Sequence, residues 1–340
     1  MSVATSPRAL LIITENDTLI DGADVRGLVE MAVVAEANGI DSVMMSEHVV
    51  LGPAANALGL PDNPRAYAAP GNQDPRMPWP SSLITLAAIA ARTSTLRLVA
   101  GAVITPLRHP LVLAKEFATL DQFSEGRLVV LPTVSWHEQE FAALGVPFHQ
   151  RGEILDEQLA VWEAIWAGDP VAFHGRHYDF AEVHVQPRAY RPGGPTLWFG
   201  GSTLHERVLQ RLVRHGHGFN PFGAPTADEL GRLSEALDAA GRSLDSIEMV
   251  GGVRAVFDDH TSPADLDRAM DAVPEQLANG FTTICVKPSM FIDSIEELPA
   301  FCKRVVHVLE SLAADRDRPG QPAPADPADP AEPAERYIER

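Results

Sequence analysis

The feature that most constrains this chain is a short apolar run followed by a helical pattern, repeated along the sequence. In the first unit "ALLIIT" (9–14) precedes apolar residues at helical spacing, which are Val25, Leu28, Val29, Ala32 and Val33. Eight such units follow one another before residue 313. The apolar runs are nearly continuous, as in strands of a parallel sheet that is covered on both faces. The repeat therefore predicts an α/β fold, a (β/α)₈ TIM barrel in one domain over residues 1–312.

A doubly wound open sheet is the alternative fold for the same alternation. It is less favoured, because no G-x-G-x-x-G turn follows the first strand. The other predicted strands are "IDSVMMS", "LRLVAGAVIT", "RLVVLPTVS", "TLWFGG", "GHGFNPF", "SIEMVGGVRAVF" and "FTTICVKP". Predicted helices include "SSLITLAAIAARTS" with a serine cap, residues 203–215, and "ADLDRAMDAVPEQLANG".

The last residues, 313–340, have a different composition from the rest. "AADRDRPGQPAPADPADPAEPAERYIER" consists almost entirely of Ala, Pro, Asp, Glu and Arg. Such a segment has too few apolar side chains to offset the entropy lost on ordering, and its prolines interrupt helices and sheets. The composition predicts a disordered tail.

Charge and cysteine content exclude several classes of function. The formal net charge is −19, which argues against nucleic acid or an anionic membrane as a partner. The two cysteines, Cys285 and Cys302, are too few for a disulfide framework or a Cys-rich metal site. We find neither a signal peptide pattern nor a run long enough to span a membrane, so we expect a cytoplasmic protein.

Two histidine clusters, "HGRH" (174–177) and "HGH" (215–217), are not interpreted as metal sites, because no carboxylate lies at a ligand-like interval beside either of them. The first lies in "AFHGRHYDF", which has the pattern of a surface hairpin. We therefore expect no metal ion in this protein.

The second predicted strand ends in Ser46, Glu47 and His48. In a (β/α)₈ barrel the carboxyl ends of the strands carry the active site, so these polar residues are candidates for function. A long segment rich in Gly, Pro, Asn and Ala, residues 51–80, follows directly. Loops of this length are usually functional or disordered, and we expect this one to cover the barrel mouth. Its candidate contacts to substrate or to an anionic cofactor are Arg65, Tyr67, Arg76 and Trp79.

Four stretches resemble the bacterial luciferase-like monooxygenase family, whose members use FMN or the deazaflavin F420. They are "AEANGIDSVMMSEHV", "LRLVAGAVITPLRHPLVLAKEFATLDQFSEGRLVV", "EFAALGVPFHQRGEILDEQLAVWEAIWAG" and "PTLWFGGSTLHERVLQRLVRHGHGFNP". They occur in the family's order between residues 9 and 222. The resemblance implies a flavin or deazaflavin bound across the carboxyl ends of the strands.

The resemblance also implies where the cofactor ring lies. The family's third strand commonly ends in a bulge with a non-proline cis peptide that backs the central ring, and the matching pair here is Ala102–Val103. At the end of the fourth strand the family often has glycines, whereas this chain has "PTVS" (132–135). Thr133 is the candidate cofactor contact there.

"FGGST" (199–203) matches the family's phosphate loop after the fifth strand. Gly200 and Gly201 allow the backbone to approach an anion, and Ser202 with the first amides of the next helix can donate hydrogen bonds to it. Binding through amides is compatible with an acidic protein.

His48 matches a family position that often holds an active-site histidine. An imidazole can exchange a proton with the substrate while a hydride moves. Glu47 is expected to bond the cofactor edge or to orient this imidazole. Trp136 stands where the family's sugar-phosphate dehydrogenases carry a glutamate, which favours an apolar or aromatic substrate wall. We expect Arg108 to form ion pairs at the barrel rim rather than to act in catalysis.

These observations predict an F420-dependent oxidoreductase that moves a hydride between the deazaflavin and a small organic substrate, with His48 as proton partner. The first alternative is an FMN-dependent monooxygenase supplied by a flavin reductase, and the second is a non-catalytic flavin-binding protein. A hydrolase or aldolase on the same fold is a further alternative; a Schiff-base lysine at a strand end would support it, and Lys287 is the candidate. The resemblance implies a homodimer, with helices beside strands two and three at the interface.

Overall fold

Eight of the apolar runs form a closed parallel barrel in the computed structural model, which describes residues 6–316. The barrel strands are β1 (Arg8–Ile12), β2 (Ser42–Met45), β3 (Arg97–Ile104), β4 (Leu128–Thr133), β7 (Thr196–Phe199), β8 (Gly218–Phe219), β9 (Glu248–Gly252) and β10 (Thr283–Val286). They are neighbours in chain order, and β1 pairs with both β2 and β10, which closes the ring. The predicted barrel is confirmed, and the open sheet is wrong.

Helices and a hairpin connect these strands. The helices are α1 (Val25–Ala37), α2 (Ser82–Ala90), α3 (Pro110–Phe123), α4 (Glu138–Ala143), α5 (Arg151–Ala167), α6 (Glu206–His215), α7 (Ala227–Ala239), α8 (Leu266–Met270), α9 (Val273–Ala278) and α10 (Leu298–Arg316). The predicted hairpin is confirmed as antiparallel β5 (Val171–His174) and β6 (Asp179–Val183).

Alternate residues of each barrel strand point inward, and the others pack against the helices. The inward residues form a separate cluster, which contains Leu10, Met44, Val99, Val129, Leu131, Trp198 and Val250. Trp198 is fully buried there because its neighbour Gly218 has no side chain; a Cβ on Gly218 would lie 2.3 Å from the indole. Both faces of the strands are therefore apolar, which explains their continuous apolar runs.

Three predicted boundaries are wrong. The helix predicted from residue 203 begins at Glu206, after the loop that follows β7. The helical pattern around Pro274 divides into α8 and α9, because proline lacks the amide that would continue one helix. Helix α10 extends through Arg316, and Ala313 is buried on it, so residues 313–316 are not part of a tail. The rest of the predicted tail, 317–340, lies outside the described residues.

Within residues 6–316 no helix is long and apolar enough to cross a membrane.

Candidate active site

His48 lies just beyond the end of β2, at the mouth of the barrel. Its side chain is 7% exposed, and its Nδ1 lies 3.2 Å from Oε2 of Glu140 on α4. Glu140 is a fully buried carboxylate whose Oε1 also accepts hydrogen bonds from the amides of Val49 (2.5 Å) and Val50 (3.2 Å). One carboxylate therefore fixes both the imidazole and the chain that follows it.

Sequence reasoning missed Glu140. In "WHEQEFAALG" it lies on α4, directly before the buried Phe141. A carboxylate on the buried side of an amphipathic helix needs a hydrogen-bond or ionic partner. The place of Glu140 beside a buried residue was therefore the sequence signal that could have identified it. The partner itself, His48, is 92 residues away in the chain.

The two tryptophans predicted to contact substrate flank His48. The ring of Trp79 is 5.2 Å from the imidazole with an interplanar angle of 77°, and that of Trp136 is 5.9 Å away at 82°. Both therefore meet the imidazole with T-shaped geometry. The structure brings together the three side chains that the sequence assigned to proton transfer and to the substrate wall.

Glu47 does not contact the imidazole. It is buried and accepts hydrogen bonds from the guanidinium of Arg108 (2.7 and 3.0 Å), the amide of Ile104 (2.9 Å) and the hydroxyl of Ser82 (3.0 Å). These bonds occupy both carboxylate oxygens, so the expectation that Glu47 orients His48 is wrong. The carboxylate holds the end of β3 instead, and the predicted ion pairing of Arg108 is confirmed.

The start of α2 also differs from the predicted serine cap. Ser81 occupies the N-cap position of α2, but its side chain makes no capping hydrogen bond. The next serine, Ser82, is buried and donates to Glu47. The predicted serine cap is therefore present by position only.

The non-proline cis peptide lies at Gly101–Ala102, one residue before the predicted pair Ala102–Val103. The pairing of β3 with β4 shifts between Gly101 and Val103, so Ala102 is the extra residue of a bulge. Ala102 packs against the inward cluster, whereas Val103 is fully buried among the side chains outside the barrel. Of the predicted pair, only Ala102 has its side chain on the inside of the barrel.

Thr133 ends β4 and lies on the same side of the strand as Val129 and Leu131, which belong to the inward cluster. It is half-buried at the top of the barrel. This placement is compatible with the predicted contact to a cofactor at the mouth.

Gly200, Gly201 and Ser202 form the turn between β7 and α6, also at the mouth. A Cβ on Gly200 would lie 1.6 Å from the carbonyl oxygen of Asn220, and the amide of Phe222 donates to Gly201 (2.8 Å). Ser202 is exposed. Within the described residues, the backbone amides of residues 201–203 donate no hydrogen bond. A turn of bare backbone with free amides fits a phosphate group.

Replacing Gly200 with alanine is expected to lower the free energy of unfolding by about 1–3 kcal/mol, because the new methyl group would overlap the Asn220 carbonyl. The displaced turn should also bind a phosphate-bearing cofactor at least about tenfold more weakly. Chemical denaturation and cofactor titration measure the two effects. Gly201→Ala is the matched control for stability, since its Cβ would meet only the Thr203 carbonyl at 3.6 Å. Equal stability of both variants would contradict the proposed close approach.

The segment 51–80 lies across the mouth, anchored at several points. Near its start, Gly52 donates to Nε2 of His137 (2.7 Å). Farther along, the Arg65 guanidinium donates to the carbonyls of Thr261, Ser289 and Ile292 and pairs with Asp293. Arg65 therefore holds the segment, with four of its five N–H donors bonded to the protein. Arg76 is exposed and pairs with Asp74.

Lys287, just beyond β10, also anchors the segment. The residue is 1% exposed; its ammonium donates to the carbonyls of Arg65 and Ala66 (both 3.2 Å) and lies 5.1 Å from the ring centroid of Tyr67. Burial lowers the pKa of Lys287, and the negative charge of Glu15 opposes this shift. Its bonds to the loop leave it poorly placed for a Schiff base, so the structure gives no support to the aldolase alternative.

Glu15, at the end of β1, was also missed by sequence reasoning. Burial raises the pKa of this carboxyl, while the charges of Lys287 and His48 act in the opposite direction. Its position directly after the first strand was the signal, because the carboxyl ends of all eight strands meet at the mouth.

The attachment of segment 51–80 is expected to weaken in mild acid. Burial lowers the pKa of His137, with Glu140 opposing and His48 reinforcing this shift, and Nε2 must be unprotonated to accept from Gly52. The folded pKa lies below the unfolded value of about 6.5, so this contribution to stability is present above that pH and is lost as the pH falls through the folded pKa. Thermal melts from about pH 7.5 to about pH 5 should show a larger loss for the wild type than for His137→Gln, which accepts the bond without titrating. Parallel curves would assign the acid sensitivity to other groups.

No group of three or more His, Cys, Asp or Glu side chains suited to a metal ion occurs in the described part of the chain. In the hairpin, His174 pairs with Asp179 (2.6 Å), and both side chains are exposed.

The family model for luciferase-like monooxygenases matches residues 8–279. An uncharacterised protein of Mycobacterium tuberculosis is 30% identical over 224 residues, which cover 64% of this chain and 76% of that protein. The F420-dependent glucose-6-phosphate dehydrogenase of Nakamurella multipartita is 28% identical over 255 residues, covering 72% of this chain and 66% of the relative.

An FMNH₂-dependent dimethylsulfone monooxygenase of Pseudomonas putida is 32% identical over 129 residues, covering 37% of this chain and 35% of the relative. Among solved structures, an F420-dependent secondary alcohol dehydrogenase matches 90% of this chain and 99% of its own with a TM-score of 0.66, at 14% identity, and thus shares the fold. With a family model that spans most of the barrel, the chain belongs to the luciferase-like monooxygenase family.

Proposed function

We propose that this protein is an F420-dependent oxidoreductase that transfers a hydride between the deazaflavin and a small organic substrate. The observation that carries the proposal is His48, fixed by a buried carboxylate between two tryptophans at the barrel mouth. Relatives that use F420 and relatives that use FMN both occur in the family, so the choice between them rests on this site.

The mouth offers a place for each part of a deazaflavin. Ala102 at the bulge would back the ring, Thr133 would contact its polar edge or chain, and the turn formed by Gly200, Gly201 and Ser202 would receive the phosphate. Bound there, the deazaflavin supplies a carbon that accepts or donates a hydride. Glu47 contributes indirectly, because its bonds to Ile104 and Arg108 hold the end of the strand that carries Ala102.

His48 is proposed to hold the proton that accompanies the hydride. With Glu140 ionised, Nδ1 donates to that carboxylate, and Nε2 is then the basic nitrogen of the neutral imidazole. The same carboxylate stabilises the imidazolium that forms when Nε2 takes a proton. Trp79 and Trp136 leave an apolar wall on two sides, which suits a small apolar or aromatic alcohol or carbonyl compound.

Cofactor titration of the purified protein tests the proposal. Oxidised F420 and FMN are added separately while the fluorescence of each is followed. Tight F420 binding with weak FMN binding is expected. The reverse would favour an FMN-dependent monooxygenase supplied by a flavin reductase, and failure of both would reject the phosphate turn. Binding of F420 without turnover of any alcohol or carbonyl compound would favour a non-catalytic binding protein.

We also propose a homodimer through α2 and α3, the helices beside β2 and β3. Ile84 on α2 and Val112 on α3 are large apolar side chains that are exposed in the single chain. Sedimentation should show a dimer in the wild type and a monomer for Ile84→Asp.

We also propose a cytoplasmic location, which the two unpaired cysteines support.

A further inference from the structure

An arginine without a partner lies near the phosphate turn, which consists of Gly200, Gly201 and Ser202. Arg254 is the second residue after β9, which ends at Gly252, so it lies at the barrel mouth, and its side chain is exposed. Its guanidinium lies against Gly223 and forms no ion pair or hydrogen bond within residues 6–316. The mouth therefore has a positive charge that the protein itself does not neutralise.

Direct contacts connect Arg254 with the turn. The carbonyl of Gly201 accepts a hydrogen bond from the amide of Phe222 (2.8 Å), and Gly223 is the next residue. Gly223 has a φ of 134°, and a Cβ on it would lie 2.6 Å from Nη2 of Arg254. Only glycine both adopts this conformation readily and leaves room for the guanidinium. These contacts place the guanidinium within about 12 Å of the Gly201 carbonyl oxygen.

A free guanidinium is notable in this chain because acidic residues outnumber basic ones, 46 to 27. Other arginines near the strands pair with carboxylates, as Arg97 does with Asp41 and Arg108 with Glu47. Arg254 keeps all five of its N–H donors available, and their planar arrangement matches the two oxygens of a carboxylate. Its place near the phosphate turn therefore offers a binding site for a second anionic group.

We propose that Arg254 binds a carboxylate that the cofactor carries beyond its phosphate. The inference rests on the proposed function and deepens it, because F420 continues past its phosphate into a tail of glutamyl carboxylates, whereas FMN ends at the phosphate. An extended tail as long as about three or four peptide units spans about 12 Å. One arginine beside the phosphate turn would then make the site prefer F420 to FMN.

Fluorescence titration with two probes tests this site. The first probe is F420 with its glutamyl tail, and the second is the same deazaflavin truncated at its phosphate. The wild type should bind the first about three- to tenfold more tightly, and this preference should shrink when salt rises from about 50 to about 500 mM. Arg254→Gln should lose the preference while binding the truncated probe as tightly as the wild type does.

Two other exposed arginines serve as matched controls. Arg26 lies in the first turn of α1 and Arg207 in the first turn of α6, and neither forms an ion pair in the described part of the chain. The guanidinium of Arg207 faces α5, since a Cβ on Gly152 would lie 2.8 Å from its Nη1. Arg26→Gln and Arg207→Gln remove the same charge and should keep the wild-type preference. Thermal melts of all three variants should match the wild type.

Several results would overturn the inference. Equal affinity of the wild type for the two probes would reject the tail site and leave the proposed function intact. A preference lost in Arg207→Gln but kept in Arg254→Gln would place the tail on the α5 side of the turn. The same loss in Arg26→Gln as in Arg254→Gln would show an effect of overall charge instead of a site. Binding of neither probe would reject the proposed function together with this inference.

Discussion

Replacing His48 with asparagine is expected to lower kcat by about 10²–10⁴-fold while the affinity for the cofactor changes by less than about threefold. Asparagine keeps a side-chain donor for Glu140 but has no group that takes up a proton at neutral pH. The loss should therefore appear in the proton-coupled step rather than in binding. Stopped-flow measurement of F420 reduction by an alcohol substrate, together with the fluorescence titration, separates the two effects.

A matched control for His48→Asn is His184→Asn. His184 also pairs with a carboxylate, Asp169 (3.0 Å), but its side chain is exposed beside the hairpin. This control should keep the wild-type rate. If His48→Asn also kept it, His48 would be a structural residue, and the proposed proton transfer would need another acceptor.

Truncating Glu140 to alanine is expected to lower the free energy of unfolding by about 3 kcal/mol or more. The fully buried carboxylate accepts from the amides of Val49 and Val50 and from His48, and alanine would leave all three without their acceptor. The melting temperature should fall by about 5–10 °C. Thermal and chemical denaturation measure this loss.

Glu140→Gln separates the structural role of this residue from its effect on His48. The glutamine oxygen still accepts from Val49 and Val50, so the variant should fold with a smaller loss of stability. Its amide group then faces Nδ1 of His48, where it donates rather than accepts and favours the opposite tautomer. We expect a lower kcat and an altered pH profile with cofactor binding retained.

The control for this pair is Glu138→Gln, an exposed glutamate on the same helix α4. It should match the wild type in stability and rate. Loss of stability in Glu140→Gln as large as in Glu140→Ala, with an unchanged pH profile, would show that Glu140 only supports the fold.

Much of the barrel was predictable because its signals are local. Each strand is a run of apolar residues whose two faces are both buried, and each run is followed by a helical pattern, so the number of strands and their order could be read along the chain. The position of His48 followed from the same logic, because a polar residue after a parallel strand has to lie at the mouth. The segment over the mouth was predictable from its length and composition.

The partners in the site were not predictable, because they depend on contacts between distant parts of the chain. Glu47 is next to His48 in sequence, yet it bonds Arg108, while Glu140 holds the imidazole from 92 residues away. Adjacent residues at a strand end point in different directions, and the closed barrel decides what each of them meets. The cis peptide at Gly101–Ala102 shows the same dependence, since the bulge is defined by pairing with β4.

The sequence by itself therefore determined the architecture and the end of the barrel at which the candidate site lies, since hydrophobic periodicity and strand ends are properties of short segments. Only the tertiary structure decided which carboxylate serves His48, that Arg65 and Lys287 anchor the loop, and that Arg254 lies against Gly223. The physical reason is that a buried charge pairs with whichever partner the closed fold brings within hydrogen-bond distance. Closeness in the fold does not depend on closeness along the chain.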